Sequence, residues 1–552
     1  MNGRLFVELA EVCEKIKETT SKLEKISKLG NFLKNLNDEE LSATIRLLNS
    51  EILPPWYNKE IQVGYSTLSS IILEISGSSK EEFFKVYIKH GDLGETAEEL
   101  LKKGKALNPL IQEKLTILKV YKTLLKTSEY SGEGSYQSKK NSLLNLFINA
   151  SPIEAKYLVK IITGELRIGL SEGLLEESLA YALGIPLSNL REKVLILPDL
   201  AEVAIKIRNG KYEEIDLELL RPTSFMLAEP MSSPEEIANY FNKELIAEYK
   251  YDGIRAQIHK KGNNIRIFSR RLDEISFYLP EIVDSISRIK GDFILDSEII
   301  SIKNNKVVPF NILQRRLRRK NIDKKLIEEI PLRAIVYDIL FYNGKQVYKL
   351  PLRERKELLK DIDLQDKIEI GFFKLVRNSA EISKLFEESL NKGFEGLMIK
   401  DPDSPYTPGK RGKAWVKLKK EFDTLDVVIV AAEYGHGKRA GILSDYTFAV
   451  KDNDELKIIG KAYSGLTDEE MEILDRKLRE ITIEDLGYKI IVRPEIVLEV
   501  AFDSIQVSDR HDSGFALRFP RIKRIRWDKS PNEIDSIEKV KEIYERKKAI
   551  FA

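Results

Sequence analysis

Residues 248–255 read EYKYDGIR, a lysine (Lys250) between two carboxylates, Glu248 and Asp252, with Tyr249 and Tyr251 interleaved and Gly253 and Arg255 following. If the strand suggested by the preceding ELIA runs on through this stretch, alternation puts Glu248, Lys250 and Asp252 on one face, the tyrosines on the other, and a turn at Gly253. A lysine becomes an amine nucleophile when its charged form is disfavoured, as it is beside a metal ion and an arginine. Taken alone, the stretch reads equally as a solvated strand face. K-x-D-G-x-R arises by chance on the order of once in a hundred chains of this length.

Its companions decide the reading. FILDSEII places Asp296 and Glu298 on one face of a strand whose neighbours Phe293, Ile294, Leu295, Ile299 and Ile300 are apolar. Carboxylates there are costly unless a cation or a metal pairs with them. EGLMIK sets Glu395 and Lys400 at the two ends of an apolar segment, and RGKAWVKLKK puts Lys417 and Lys419 on one strand face. Such groups on several strands of one domain line a polar cavity, in which lysines and arginines bind phosphates and carboxylates hold the accompanying divalent ion. Lys250 then qualifies for covalent attack on phosphorus.

Three kinds of segment must position these groups. Up to about residue 215 the periodicity is helical, as in EEFFKVYIKH, TAEELLKKGKAL and LTILKVYKTLLK. TSEYSGEGSYQSKK interrupts it and reads as a solvated connector. Around EEIDLELLRPTSFMLAEPMSSPEE the chain becomes Pro- and Ser-rich, and short β runs (IRIFS, DFILDSEIISI, RAIVYDILFY, GLMIKD) then alternate with helices as far as about Lys420. After EFDTLDVVIVAAEYG the runs are nearly all strands, with a hairpin turn at Asn453-Asp454, and a block of ~100 residues fits a small closed β-barrel. The basic RFPRIKRIRWDKS lies beyond the barrel strands, and a basic helix, SIEKVKEIYERKKAI, follows.

With 552 residues, 42% hydrophobic and 32% charged, the chain has room for several cores and three or four domains. No run of about 18 apolar residues occurs and the N-terminus is charged and amphipathic, so the expected location is cytoplasmic, with no membrane association. Cys13 is the only cysteine, which excludes an internal disulfide and a cysteine-rich zinc site. The net charge of +2 means that a nucleic-acid partner has to be argued from local clusters. QRRLRRKNIDKK is such a cluster, with five cations among residues 315–320. His90, His259, His436 and His511 show no ligand spacing and are expected at ordinary surface or core positions.

In order and spacing, these motifs resemble those of the ATP-dependent DNA ligases of the archaeal and eukaryotic replicative type, over practically the whole chain. The resemblance implies a multidomain protein: an all-α DNA-binding domain (1–215), an α+β nucleotidyltransferase or adenylation domain (216–421) and a β-barrel OB-fold domain with a C-terminal helix (422–552). KYDGIR resembles the adenylation motif, which makes Lys250 the residue that carries AMP, with Glu248 and Arg255 among the nucleotide contacts. FSRRLDE implies that Arg270 touches nucleotide and nick. LDSEII implies Glu298 near ribose and metal, and VYDILFYNG places Tyr337 where the family has a stacking Phe. EGLMIK implies Glu395 for metal and Lys400 for phosphate. YTPGKRGKAWVKLKK supplies Arg411, Lys417 and Lys419. LRFPRIKRIRWDKSP resembles the motif that organises pyrophosphate, through Arg518, Arg521, Arg526, Asp528 and Lys529.

YLVKIITGELRIGLSEGLL resembles a stretch of the domain that clasps the duplex, where Lys160 and Arg167 suit backbone contacts in a widened minor groove, and where packing by Leu158, Ile161 and Ile162 would look the same. ATP and Mg²⁺ are the implied cofactors, nicked double-stranded DNA the partner, and a monomer the expected state. The sliding-clamp box of many archaeal relatives is replaced here by LNPLIQEKLTI, which lacks the glutamine in register and the paired aromatics and so argues against clamp binding by that route. RNA ligases and capping enzymes share the lysine motif but lack so large a helical N-terminal region. NAD-dependent ligases carry a four-cysteine zinc module that this chain cannot build. A nucleic-acid-binding scaffold with a dead core would have lost Lys250, Glu298 or Glu395. Few Cys and Met with abundant Lys, Glu and Ile suggest a thermophilic source.

Overall fold

The computed structural model describes residues 3–107, 113–132, 134–303, 306–308, 310–317, 319, 321–419, 423–435, 441–453 and 455–551. The chain divides into two compact units, one of residues 1–382 with 398–417 and the other of 383–397 with 418–552.

The first unit begins with helices whose ends are written in the sequence. Ser21, Asn37, Ser79, Asp92, Thr116, Ser171 and Asp199 each accept a backbone N–H as N-caps, while Gly77, Gly91, Gly164 and Gly184 close helices in the left-handed conformation. One apolar core, built around residues such as Phe6, Leu68, Leu124, Phe147 and Leu158, joins them. The expected connector 127–140 is mostly helix: Ile117–Glu129 and Ser135–Asn149 leave only residues 130–134 between them. Its small polar residues pack, since Thr127 Oγ1 bonds Ser142 Oγ at 2.9 Å and buried Lys139 donates to the Ile61 carbonyl at 2.9 Å. Lys160 is likewise buried and donates to Asp92 at 2.6 Å, so it is a packing residue here; Arg167, nearly half exposed, donates to the Gly91 carbonyl.

Two sheets follow. Their strands are β1 (Leu227–Pro230), β2 (Leu245–Tyr249), β3 (Ile254–Lys261), β4 (Asn264–Ser269), β5 (Phe293–Lys303), β6 (Lys306–Val307), β7 (Leu332–Tyr342), β8 (Lys345–Gln346), β9 (Ile368–Ile370), β10 (Phe373–Val376), β11 (Gly396–Lys400) and β12 (Arg411–Lys419). One sheet runs β1-β12-β11-β2-β10; the other runs β4-β3-β5-β7-β8, with β6 on β5 and β9 on β7. The strand expected to continue through Lys250 instead stops at Tyr249, because β2 and β3 belong to different sheets and residues 250–253 cross between them. The glycine of KYDG makes the crossing possible: a Cβ on Gly253 would lie 2.3 Å from the Ile299 carbonyl oxygen of β5.

In the second unit, β13 (Asp423–Tyr434), β14 (Leu443–Asp452), β15 (Glu455–Ala462), β16 (Thr482–Asp485), β17 (Lys489–Val492), β18 (Val497–Phe502), β19 (Ser504–Val507), β20 (Phe515–Arg518) and β21 (Arg521–Ile525) form curled sheets around one core. β13 pairs with β14 on one edge, and on the other with β18 and then β17; register breaks at Ile429/Ala431 and Glu433/Tyr434 bend it between partners. Asn453 has φ 53° between the paired Asp452 and Glu455, the hairpin geometry expected there, while residue 454 lies outside the described residues. Two expectations need correction. Asp468–Glu480 is a helix, capped by a Thr467/Glu470 box, in a block read as nearly all strand. The basic C-terminal segment is itself strand, since β21 pairs with β18 and buries Ile522 between its cations.

Candidate active site

Glu248 is the penultimate residue of β2 and is 4% exposed, a position a carboxylate tolerates only when paired. Two lysines pair with it: Lys356 from helix Leu352–Lys360 at 2.5 Å on Oε1, and Lys400 from the end of β11 at 2.6 Å on Oε2. Lys356 also donates to the Tyr337 carbonyl on β7 at 2.8 Å. Lys400 lies over the rings of Tyr337 and Trp415, 4.6 and 3.9 Å from their centroids. Burial lowers its ammonium to about 8; the charge of Lys356 pushes the same way, and Glu248 opposes both. Lys250 follows two residues after Glu248, half-buried on the crossover.

A second buried set lies behind Tyr337. Asp296 on β5 has no exposure and receives Arg255 Nη2 at 2.7 Å, Tyr337 Oη at 2.9 Å and Tyr406 Oη at 2.8 Å. Arg255 also donates to the Met226 carbonyl at 2.7 Å and stacks over Phe225. The cation that an acid in this apolar run demands is therefore Arg255. Burial beside Asp296 raises both tyrosine hydroxyls well above their usual range, so they remain donors. Glu298, two residues on, is half-buried and in register with Arg255 across the β3–β5 pair.

The remaining candidates divide by unit. Arg270 and Arg411 are exposed and Lys417 is half-buried in the first unit. In the second, Glu395 and Lys419 pair at 2.9 Å, while Arg526 and Lys529 share Asp426 at 3.3 and 2.7 Å. Arg526 also meets Asp528 at 2.7 Å; Arg518 stacks on Phe519, and Arg521 is exposed. In the basic cluster Arg316 is fully buried against Glu281 and the Ile330 carbonyl, leaving Arg315 and Arg319 exposed; residues 318 and 320 lie outside the described residues. His259 is buried edge-on to Phe268, His90 pairs with Glu99, and His436 lies outside the described residues, as do 108–112 of the altered clamp segment.

Reading the sequence missed Arg355 and Lys356, whose charges look solvated on a helix. The signal was there: Leu352 and Leu359 are three and four residues away, on the same face. Arg355 forks onto Asp338 at 2.7 and 2.9 Å with both groups fully buried, and outweighs the burial that would raise that acid.

The donor set suits a nucleoside triphosphate. Lys400 Nζ and Glu248 Oε1 are buried and ion-paired, yet neither makes a well-directed hydrogen bond among the described residues, and Lys400 lies over the Tyr337 ring. No group of three or more His, Cys, Asp or Glu side chains gathers as a metal cage among the described residues. Magnesium does not need one, because it commonly takes one or two carboxylates and completes its sphere with phosphate oxygens and water.

Comparison with known proteins finds family matches along the chain. The DNA ligase N terminus family matches residues 5–180, the ATP dependent DNA ligase domain family 225–419, and the ATP dependent DNA ligase C terminal region family 439–529. A DNA ligase of Archaeoglobus fulgidus is 37% identical, covering 98% of each chain, and DNA ligase 1 of Korarchaeum cryptofilum is 39% identical with the same coverage. The chain belongs to the ATP-dependent DNA ligase family. A probable DNA ligase of Koribacter versatilis is 39% identical to this ligase over 97% of its length and 96% of the relative's. The solved structure Pmar-Lig_PreS3 shares the ligase's fold, with TM-score 0.57 and 17% identity over 94% of this chain and 99% of that one. The enzyme uses ATP and acts on DNA. No helix among its described residues is long and apolar enough to cross a membrane.

Proposed function

We propose that the ligase seals 3′-hydroxyl/5′-phosphate nicks in duplex DNA in three phosphoryl transfers, with Lys250 as the nucleophile. Lys250 Nζ attacks the α-phosphorus of ATP; the N–P bond forms as the bond to pyrophosphate breaks, and the amine proton is released. The 5′-phosphate of the nick then takes the AMP from Lys250, and the 3′-hydroxyl displaces AMP to leave a phosphodiester. The observation that carries this reading is the buried Glu248–Lys356–Lys400 group, two residues from Lys250 and against the Tyr337 ring.

Tyr337 offers the base a face, while Arg255, Arg270, Lys400, Arg411 and Lys417 offer charge to the phosphates of nucleotide or nick. Glu298 and Glu395 would hold Mg²⁺, which supplies charge neutralisation at the phosphates when bound. Lys419, Arg526 and Lys529 complete the nucleotide contacts. The division into residues 1–215, 216–421 and 422–552, a monomeric state and a cytoplasmic location belong to the same proposal, as does weak or absent clamp binding through the altered LNPLIQEKLTI segment.

Incubation with α-labelled ATP and magnesium, then with nicked DNA or nicked RNA, tests it. The expected result is a covalently labelled protein that seals DNA. Label that forms but is discharged only on RNA, or no label at all, would contradict the proposal.

A further inference from the structure

Lys356 has the burial of a structural residue but the position of a functional one. It is 2% exposed on helix Leu352–Lys360 and spends its ammonium on two neighbours of the candidate nucleotide site, Glu248 and the backbone of Tyr337, with the Phe373 ring 4.9 Å away. Glu248 thus carries two buried lysines, one on each oxygen. One carboxylate neutralises one of them, and a surplus buried cation is costly unless an anion arrives. The two lysines are held differently. Lys356 is tied to the β7 main chain, whereas Lys400 makes an ion pair and ring contacts but no well-directed hydrogen bond among the described residues, so Lys400 is the one that can turn away. If Lys400 left and nothing else stood at Glu248, a buried carboxylate would lose its compensation.

We propose that Lys356 is a positioning residue of the nucleotide site: it fixes Glu248 and the Tyr337 backbone in one geometry and keeps Glu248 neutralised while Lys400 engages the phosphate. This rests on the assignment of Lys400 to phosphate made above. The charged groups facing Lys400 are Glu248 from β2, Asp338 from β7, itself held by Arg355, and Lys356 from the helix; Tyr337 and Trp415 supply the apolar walls. Removing Lys356 removes the positive neighbour and leaves Lys400 alone with Glu248, which favours its charged form and its retention on Glu248.

The test is single-turnover self-adenylation against ATP concentration and pH, in Lys356→Met, Lys356→Arg and Lys400→Met. Lys356→Met should need at least about tenfold more ATP for half-maximal rate and should move the alkaline limb, where Lys400 loses its proton, to higher pH; Lys356→Arg should restore both toward wild type. A Lys356→Met enzyme with wild-type ATP dependence, or one slowed equally at every ATP concentration with the limb in place, overturns the proposal. Lys400→Met separates the two layers: wild-type ATP dependence in that variant would overturn the phosphate assignment, whereas an impaired Lys400→Met beside a normal Lys356→Met overturns only the positioning role. Should Lys356→Met fail to fold, Glu248→Gln replaces it. Loss of the anion must then move the limb to lower pH, and an unmoved limb counts against the proposal.

Discussion

His259 shows how one buried side chain ties stability to pH. Burial, helped by the charge of Arg266, pushes its imidazole down to about 3, while in the unfolded chain it titrates near 6.5. Between those values the unfolded state binds the extra proton, so stability falls as pH falls from about 6.5 toward 3, by up to about 1.4 kcal/mol per pH unit for this one group. Thermal unfolding across that window should therefore show a shallower acid loss in His259→Leu than in the wild type. Equal slopes would mean that the imidazole is protonated in the folded protein. Asp296 illustrates the other use of burial, since three donors hold it and the acid that the sequence offered for ion binding instead anchors Arg255, Tyr337 and Tyr406.

Helix Asp468–Glu480 stands on its cap. Thr467 Oγ1 accepts the Glu470 N–H at 3.2 Å, and the Glu470 carboxylate returns to the Thr467 N–H at 2.8 Å. Thr467→Ala should cost about 1 kcal/mol, measurable by denaturant unfolding; no change would mean that packing of Met471, Leu474 and Leu478 alone holds the helix. The sequence contained this signature, Thr-x-x-Glu with apolar residues at helical spacing, but the surrounding β runs drowned it. The same contrast runs through the fold. Lys250, Glu298 and Lys400 are proposed from the short motifs that flank them, whereas the strands were legible because apolar runs mark them. The end of β2 at Tyr249 was not, since the crossover at 250–253 is imposed by a distant strand pressing on Gly253. Lys356 was not, since which face of an isolated charged helix turns inward is settled by the sheet it meets.

At the scale of the whole molecule, the cations that the proposal assigns to the reaction lie some in one compact unit and some in the other. Arg526 and Lys529 lie in the second unit, each already matched to Asp426. The proposal gives them the pyrophosphate, which leaves only when AMP is first captured. Arg526→Ala with Lys529→Ala should thus cripple self-adenylation while largely sparing closure of a nick that already carries 5′-AMP; equal losses in both would remove these residues from the leaving-group role. Everything downstream depends on where the AMP is held. Wild-type enzyme charged with labelled ATP, digested and mapped by mass spectrometry at neutral to alkaline pH, where the phosphoramide bond survives, tests that most directly. The account predicts a single adenylated peptide, with AMP on Lys250, and no label in Lys250→Ala or Lys250→Arg enzyme. AMP on any other lysine, or label persisting in Lys250→Ala, would contradict it.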